Sequence, residues 1–166
     1  EHLLWLYTYK IERIDAELLG HLDHLSNMHL RAISEDASEY QGYHFRRSVY
    51  AAWMALEVGQ VIYPANDTRL VPLMYKLVHN YHLQDRAIDA GGRLSYDLRL
   101  VSYNASWVRN KAETHEFFYY AGLRLLNRIQ AIYQSREGEQ SEASAMAELY
   151  LGDWHALFSK PEAALD

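Results

Sequence analysis

Residues 145–166 read AMAELYLGDWHALFSKPEAALD, and this stretch decides the fold. Ala145, Leu149, Gly152, Ala156 and, one step off that spacing, Leu157 recur at the period of an α-helix, and Ser141 stands where a capping residue belongs. Gly152 falls in the middle of that helix, where glycine costs about 1 kcal/mol relative to alanine. A neighbouring helix that approaches closely would offset the cost. Ser159-Lys160-Pro161 then breaks the pattern, and Pro161 suits the first turn of a second helix, where its missing N–H is not needed. Ala163-Ala164-Leu165 supplies small residues to pack back on the first helix. Small-on-small contact across a tight turn predicts an antiparallel pair, and with it an all-α fold of helical hairpins.

Upstream, the same period continues. Leu4, Tyr7, Ile11, Ile14, Leu18, His21, Leu25 and Met28 alternate at spacings of three and four, a heptad-like seam that predicts one long helix over residues 2–33. Leu3, Leu6, Leu19 and Leu22 widen the stripe towards a bundle helix. A homodimer through this helix is the alternative use of the seam. A second helix is expected over 38–62, where Ala51-Ala52, Ala55 and Gly59 allow a close neighbour. Pro64 and Asn66-Asp67-Thr68 stop it and cap a third helix over 68–83, with Pro72 tolerated in its first turns. Residues 93–108 look helical. Residues 112–134 read as one long helix, with Phe117, Tyr120, Leu123 or Arg124, Asn127 and Ala131 as a packing row and Arg136–Gln140 as its closing loop. One domain is expected over 1–166: a long N-terminal helical pair over about 2–63, then hairpins over about 68–166, the last of them truncated.

Composition agrees with packed helices. The chain has 166 residues, 49% of them apolar, with fourteen Tyr and four Trp against only three Pro and eight Gly. No apolar run approaches the roughly 20 residues of a membrane span, so direct membrane insertion is not expected. Net charge is −6 with the basic residues scattered, which argues against a nucleic-acid surface. The absence of cysteine excludes disulfides, thiolate metal sites and a cysteine nucleophile.

Nine histidines invite an enzymatic reading. His21 with His24, and His79 with His82, stand three apart on a helical face. Asp85 follows the second pair, and Glu113, His115 and Glu116 cluster elsewhere. A carboxylate-bridged dimetal bundle needs Glu-x-x-His on two helices, and that motif does not occur. Nor is there a nucleophile elbow, a phosphate-binding glycine loop or a His-Glu-x-x-His. No catalytic residue, metal or cofactor is therefore expected. The Phe117-Phe118-Tyr119-Tyr120 run reads as core.

Leu151-Gly152, His155 three residues after the glycine and Ala164 twelve after it resemble the tetratricopeptide repeat. His155 stands where that family has an aromatic, and Glu148 where it has a large residue. The likeness covers residues 145–166 of a repeat that needs about 34, which suggests a piece of something longer. The spacing recurs at Leu77, Tyr81 and Ala90, with Val78 in the glycine position. What the resemblance implies is a right-handed superhelix of stacked hairpins with a concave groove for a peptide or partner protein. It puts Met146, Leu149, Asp153 and Ala156 on the groove side of the last hairpin, and Tyr75, His79 and His82 on that of the earlier one. The function expected is a non-enzymatic interaction scaffold; a helical-bundle metalloprotein or hydrolase using the His/Glu groups is the alternative. LGDWHALFSKPEAAL also resembles repeat segments of bacterial cell-envelope proteins, which tilts the expected address towards the periplasm.

Overall fold

The computed structural model describes residues 13–35, 41–89 and 111–158. They form five α-helices: α1 (Ala16–Glu35), α2 (Gln41–Ile62), α3 (Val71–Asp89), α4 (Lys111–Glu137) and α5 (Glu142–Leu157), with a 3-10 turn at Thr68–Leu70 leading into α3. There is no strand among the described residues, as the all-α reading expects. None of the described helices is long and apolar enough to cross a membrane.

Successive described helices lie antiparallel. Ser26 meets Ser48 and His29 meets His44 between α1 and α2. Asp85 meets His115 at one end of α3 and α4, while Arg136 donates to the Asn66 carbonyl (3.0 Å) at the other. Tyr119 meets both His155 and Phe158 between α4 and α5. Alternate helices touch as well. Lys76 of α3 pairs with Asp23 of α1, and Tyr75 and His82 of α3 face Tyr150 and Trp154 of α5. The described helices therefore zigzag, with α1, α3 and α5 in one layer and α2 and α4 behind them.

The core sits where the layers meet. Val49, Ala52, Ala55, Leu70, Met74, Leu77, Phe118, Leu126 and Ile129 form one buried cluster. The small residues of α2 let α3 approach as expected: a Cβ on Gly59 would lie 2.7 Å from Leu73 Cδ1. Asp67 caps the 3-10 turn by accepting from the Arg69 backbone (2.9 Å), and the Arg69 guanidinium on the same carboxylate helps hold its pKa down to about 2. From outside, Arg128 of α4 holds the last turn of α2 through Gln60, and Arg136 holds the α2–α3 connection through Asn66.

Three sequence expectations change. The first described helix starts at Ala16 and not within a continuous helix over 2–33, because the Asp15 carboxylate accepts the N–H groups of Glu17 and Leu18 (both 3.1 Å) and so caps it there. Its heptad seam packs only at the start, where Ile14 and Leu18 lie against the Met54–Val58 cluster; further along, His21, Leu25 and Met28 are exposed while Ser26 and His29 are buried. Polar contacts with α2 set that rotation. Ser26 Oγ donates to the Ser48 carbonyl (3.0 Å), and the single Ser48 hydroxyl proton has its nearest acceptor in Asn80 Oδ1 (2.7 Å). Asn80 Nδ2 donates to the Lys76 carbonyl (2.9 Å), which completes a buried polar link across α1, α2 and α3. On α4 the expected row is largely the outer one: Tyr120, Arg124, Asn127 and Ala131 are exposed, while Phe117 and the alternative Leu123 are half-buried against the core. The inner row is Phe118, Gly122, Leu126, Ile129 and Ile132, offset from it and richer in branched apolar side chains. On α5, Ala145, Leu149, Ala156 and Leu157 face outward and Gly152 is half-buried. The expected partner of Gly152, Ala164, lies outside the described residues, as do Ala90, the 93–108 segment, and Leu4, Tyr7 and Ile11.

Candidate functional site

The surface built from α5 and the adjoining edge of α3 starts with the turn before α5. Gly138, at φ +92°, takes the left-handed conformation that ends α4, and its N–H donates to the Gln134 carbonyl (3.1 Å). Three residues later the Ser141 hydroxyl accepts the Ser144 N–H (3.1 Å), the cap expected from sequence. Ser144 is buried, and its hydroxyl donates to the Gly138 carbonyl (2.8 Å), so the turn fixes where α5 begins and which way it faces.

Trp154 locks that rotation. Its indole N–H donates to the Tyr119 carbonyl (2.9 Å), and its ring lies against Gly122 so closely that a Cβ there would stand 2.1 Å from Cζ2. His82 and Phe158 flank the ring. Ala147, Leu151, Trp154 and Phe158 share one side of α5, and burying a tryptophan and a phenylalanine outweighs burying the leucines opposite.

The opposite side is left to solvent. Met146, Leu149, Tyr150 and Leu157 are 42%, 56%, 46% and 56% exposed, an apolar row at spacings of three, one and seven that covers one face of the helix. Asp153 is exposed in the middle of that row, and among the described residues it has no ion-pair partner. Tyr150 leans its ring on Tyr75 of α3 (centroids 5.2 Å apart), which joins the row to the edge of α3. Burial, with the Tyr133 and Tyr150 phenols nearby, pushes the Tyr75 hydroxyl up to about 12, so it stays a neutral donor at ordinary pH.

Of the residues expected to face a partner, Met146, Leu149, Asp153, Ala156 and His79 are exposed, and Tyr75 and His82 are half-buried against α5. The α5 set and the α3 set thus lie on neighbouring helices of one layer. Tyr150, which connects them, was missed by the sequence reading; its signal is its place four residues after Met146, on the same helical arc. The repeat positions Leu77 and Tyr81 are buried, and Leu151 and His155 are half-buried. Tyr81 packs edge-on to Phe117, and its hydroxyl pKa is raised by burial.

The histidines fall into separate pairs. His115 Nδ1 lies 2.7 Å from the buried Asp85 carboxylate, so two groups that were distant in sequence meet between α3 and α4. His155 Nδ1 lies 2.8 Å from the Tyr119 hydroxyl. His29 and His44 bring their Nδ1 atoms to 3.0 Å, which requires one to carry the proton and the other the lone pair. Burial, then the neighbouring His44 and Arg47, lowers the His29 pKa. Burial, then Arg86 and His79, lowers that of His82. Among the described residues no group of three or more His, Asp or Glu is arranged to hold a metal ion. Compared with known proteins, the chain matches no family model, no curated protein and no solved structure.

Proposed function

We propose that this protein is a non-enzymatic, tetratricopeptide-like interaction module that binds a peptide or partner protein across α5 and the adjoining edge of α3. The observation that carries the reading is the exposed row Met146–Leu149–Tyr150–Leu157, on a helix whose other side is keyed into the core by Trp154. Large apolar side chains gathered on one face, rather than scattered singly, mark interaction surfaces. The zigzag of antiparallel helices is the kind of framework on which stacked-hairpin scaffolds present such faces.

Selection from a displayed peptide library tests this. Peptides enriched on the wild-type protein should lose binding to Leu149→Glu and Tyr150→Glu and keep it to Val61→Glu, a charge placed on an exposed apolar residue of α2. Enriched peptides indifferent to Leu149→Glu, or no enrichment, would overturn the reading.

The Asp85–His115 pair favours a second reading, as a hydrolase or metalloprotein. His115 Nδ1 lies 2.7 Å from the buried Asp85 carboxylate, and a histidine held beside a carboxylate on one ring nitrogen is the kind of pair that general-base histidines use. Metal analysis of purified protein and hydrolysis of activated esters by wild type and His115→Ala discriminate the two. Stoichiometric metal, or turnover lost in His115→Ala, would favour this second reading over the first.

A further inference from the structure

Resting on the proposed docking face, we infer that its partner is an amphipathic helix carrying a lysine or arginine within its apolar stripe, set opposite Asp153. The shape of the face points to a helix. Met146, Leu149, Tyr150, Asp153 and Leu157 form a seam one helix wide and about three turns long, roughly 16 Å at 1.5 Å per residue. Alternating spacings of three and four are what a second helix fills with its own side chains. Strand addition, one way of holding an extended peptide, needs an unpaired sheet edge, and the described residues contain no strand.

Charge selects the sign of the partner. α5 carries Glu142, Glu148 and Asp153 and neither lysine nor arginine, in a chain of net charge −6. Asp153 stands inside the apolar row, so any occupant strips water from its carboxylate and must replace that water with a donor or a cation. A single charged position in an otherwise apolar seam also fixes register, because only one alignment pairs it. A second copy of this chain fits less well, since it brings a like carboxylate and a like net charge to the contact.

Three synthetic helical peptides with one leucine seam test the inference. They carry Lys, Gln or Glu at the seam-centre position and are otherwise uncharged on their flanks; binding is read by fluorescence anisotropy. The Lys peptide should bind the wild-type protein about tenfold more tightly than the Gln peptide, the scale of a partly desolvated ion pair, and should lose that margin at high salt. Asp153→Lys should reverse the preference towards the Glu peptide. Glu139→Lys, the same change in net charge on the exposed turn before α5, should leave the preference intact. Equal binding of all three peptides, abolished by Leu149→Glu, would overturn the assigned chemistry and leave the docking face standing. Binding of none of them, or binding untouched by Leu149→Glu, would overturn both. Because Asp153 and Leu149 are exposed, circular dichroism of each variant should match the wild type.

Discussion

At Gly122 the absence of a side chain is a packing requirement. A Cβ there would lie 2.1 Å from the Trp154 ring, which is held by its own hydrogen bond and cannot swing away. Gly122→Ala gains about 1 kcal/mol of helix propensity, but overpacking against a fixed indole outweighs that gain, for a net loss of about 2 kcal/mol. Gly59→Ala meets only the flexible ends of Leu73 and Leu70, so its change in stability should stay within about 1 kcal/mol. Urea denaturation of the two variants checks the contrast. His29 makes a pH prediction at the same scale. Its folded-state pKa is depressed, so at mildly acidic pH the unfolded chain binds the proton more readily than the native one. Its contribution is full above the ordinary histidine value near 6.5 and is lost as pH falls through the lower folded value. His82 acts in the same direction. Stability measured from pH 8 down to pH 5 should therefore fall, and His29→Gln should flatten part of that slope.

At the scale of elements, the first half of α1 packs through Leu18, Leu19 and Leu22, while its second half turns polar groups inward where apolar ones were available. Leu25 and Met28 point outward because turning them inward would move Ser26 and His29 out of reach of Ser48 and His44. Ser48→Ala removes the donor to Asn80 and leaves a buried carbonyl oxygen unpaired, at a cost of about 1–3 kcal/mol. Replacing the trio together, as Ser26→Ala, Ser48→Ala and Asn80→Leu, should cost less than the sum of the single changes, since no polar group is then stranded. A thermodynamic cycle on the single, double and triple variants measures that difference. α5 depends instead on its entry turn. Ser141→Ala should cost about 1 kcal/mol through loss of the cap, and thermal unfolding of that variant checks it.

At the scale of the molecule, the zigzag of described helices gives α2, α3 and α4 described neighbours on more sides than α1 and α5. α2, α3 and α4 hold most of the buried cluster, whereas α5 shows one full face to solvent. Amide exchange should therefore be slowest around Ala55, Val58, Met74, Leu77 and Ile129 and faster in α1 and α5. Leu149→Glu, on that solvent face, should change global stability by no more than about 0.5 kcal/mol while altering binding. That combination separates a surface role from a structural one.

The sequence by itself determined that the chain is helical and where several helices stop. Those features are written locally: the 3.6-residue period, Asp67 and Ser141 as caps, Pro64 and Gly138 at the turns. The repeat resemblance named Met146, Leu149, Asp153 and Ala156, which are exposed on α5, whereas spacing alone placed Leu149 and Ala156 in the packing stripe. Which arc turns inward was not local information. On α4 and α5 two apolar rows competed, and in the second half of α1 Leu25 and Met28 lost to serine and histidine. The outcome depended on what the neighbouring helix offered: room at Gly122 for an indole, a serine carbonyl at 48, an amide at 80. The meeting of Asp85 with His115, and of Tyr75 with Tyr150, was likewise decided only when the helices packed, because side chains that far apart in sequence share no local signal.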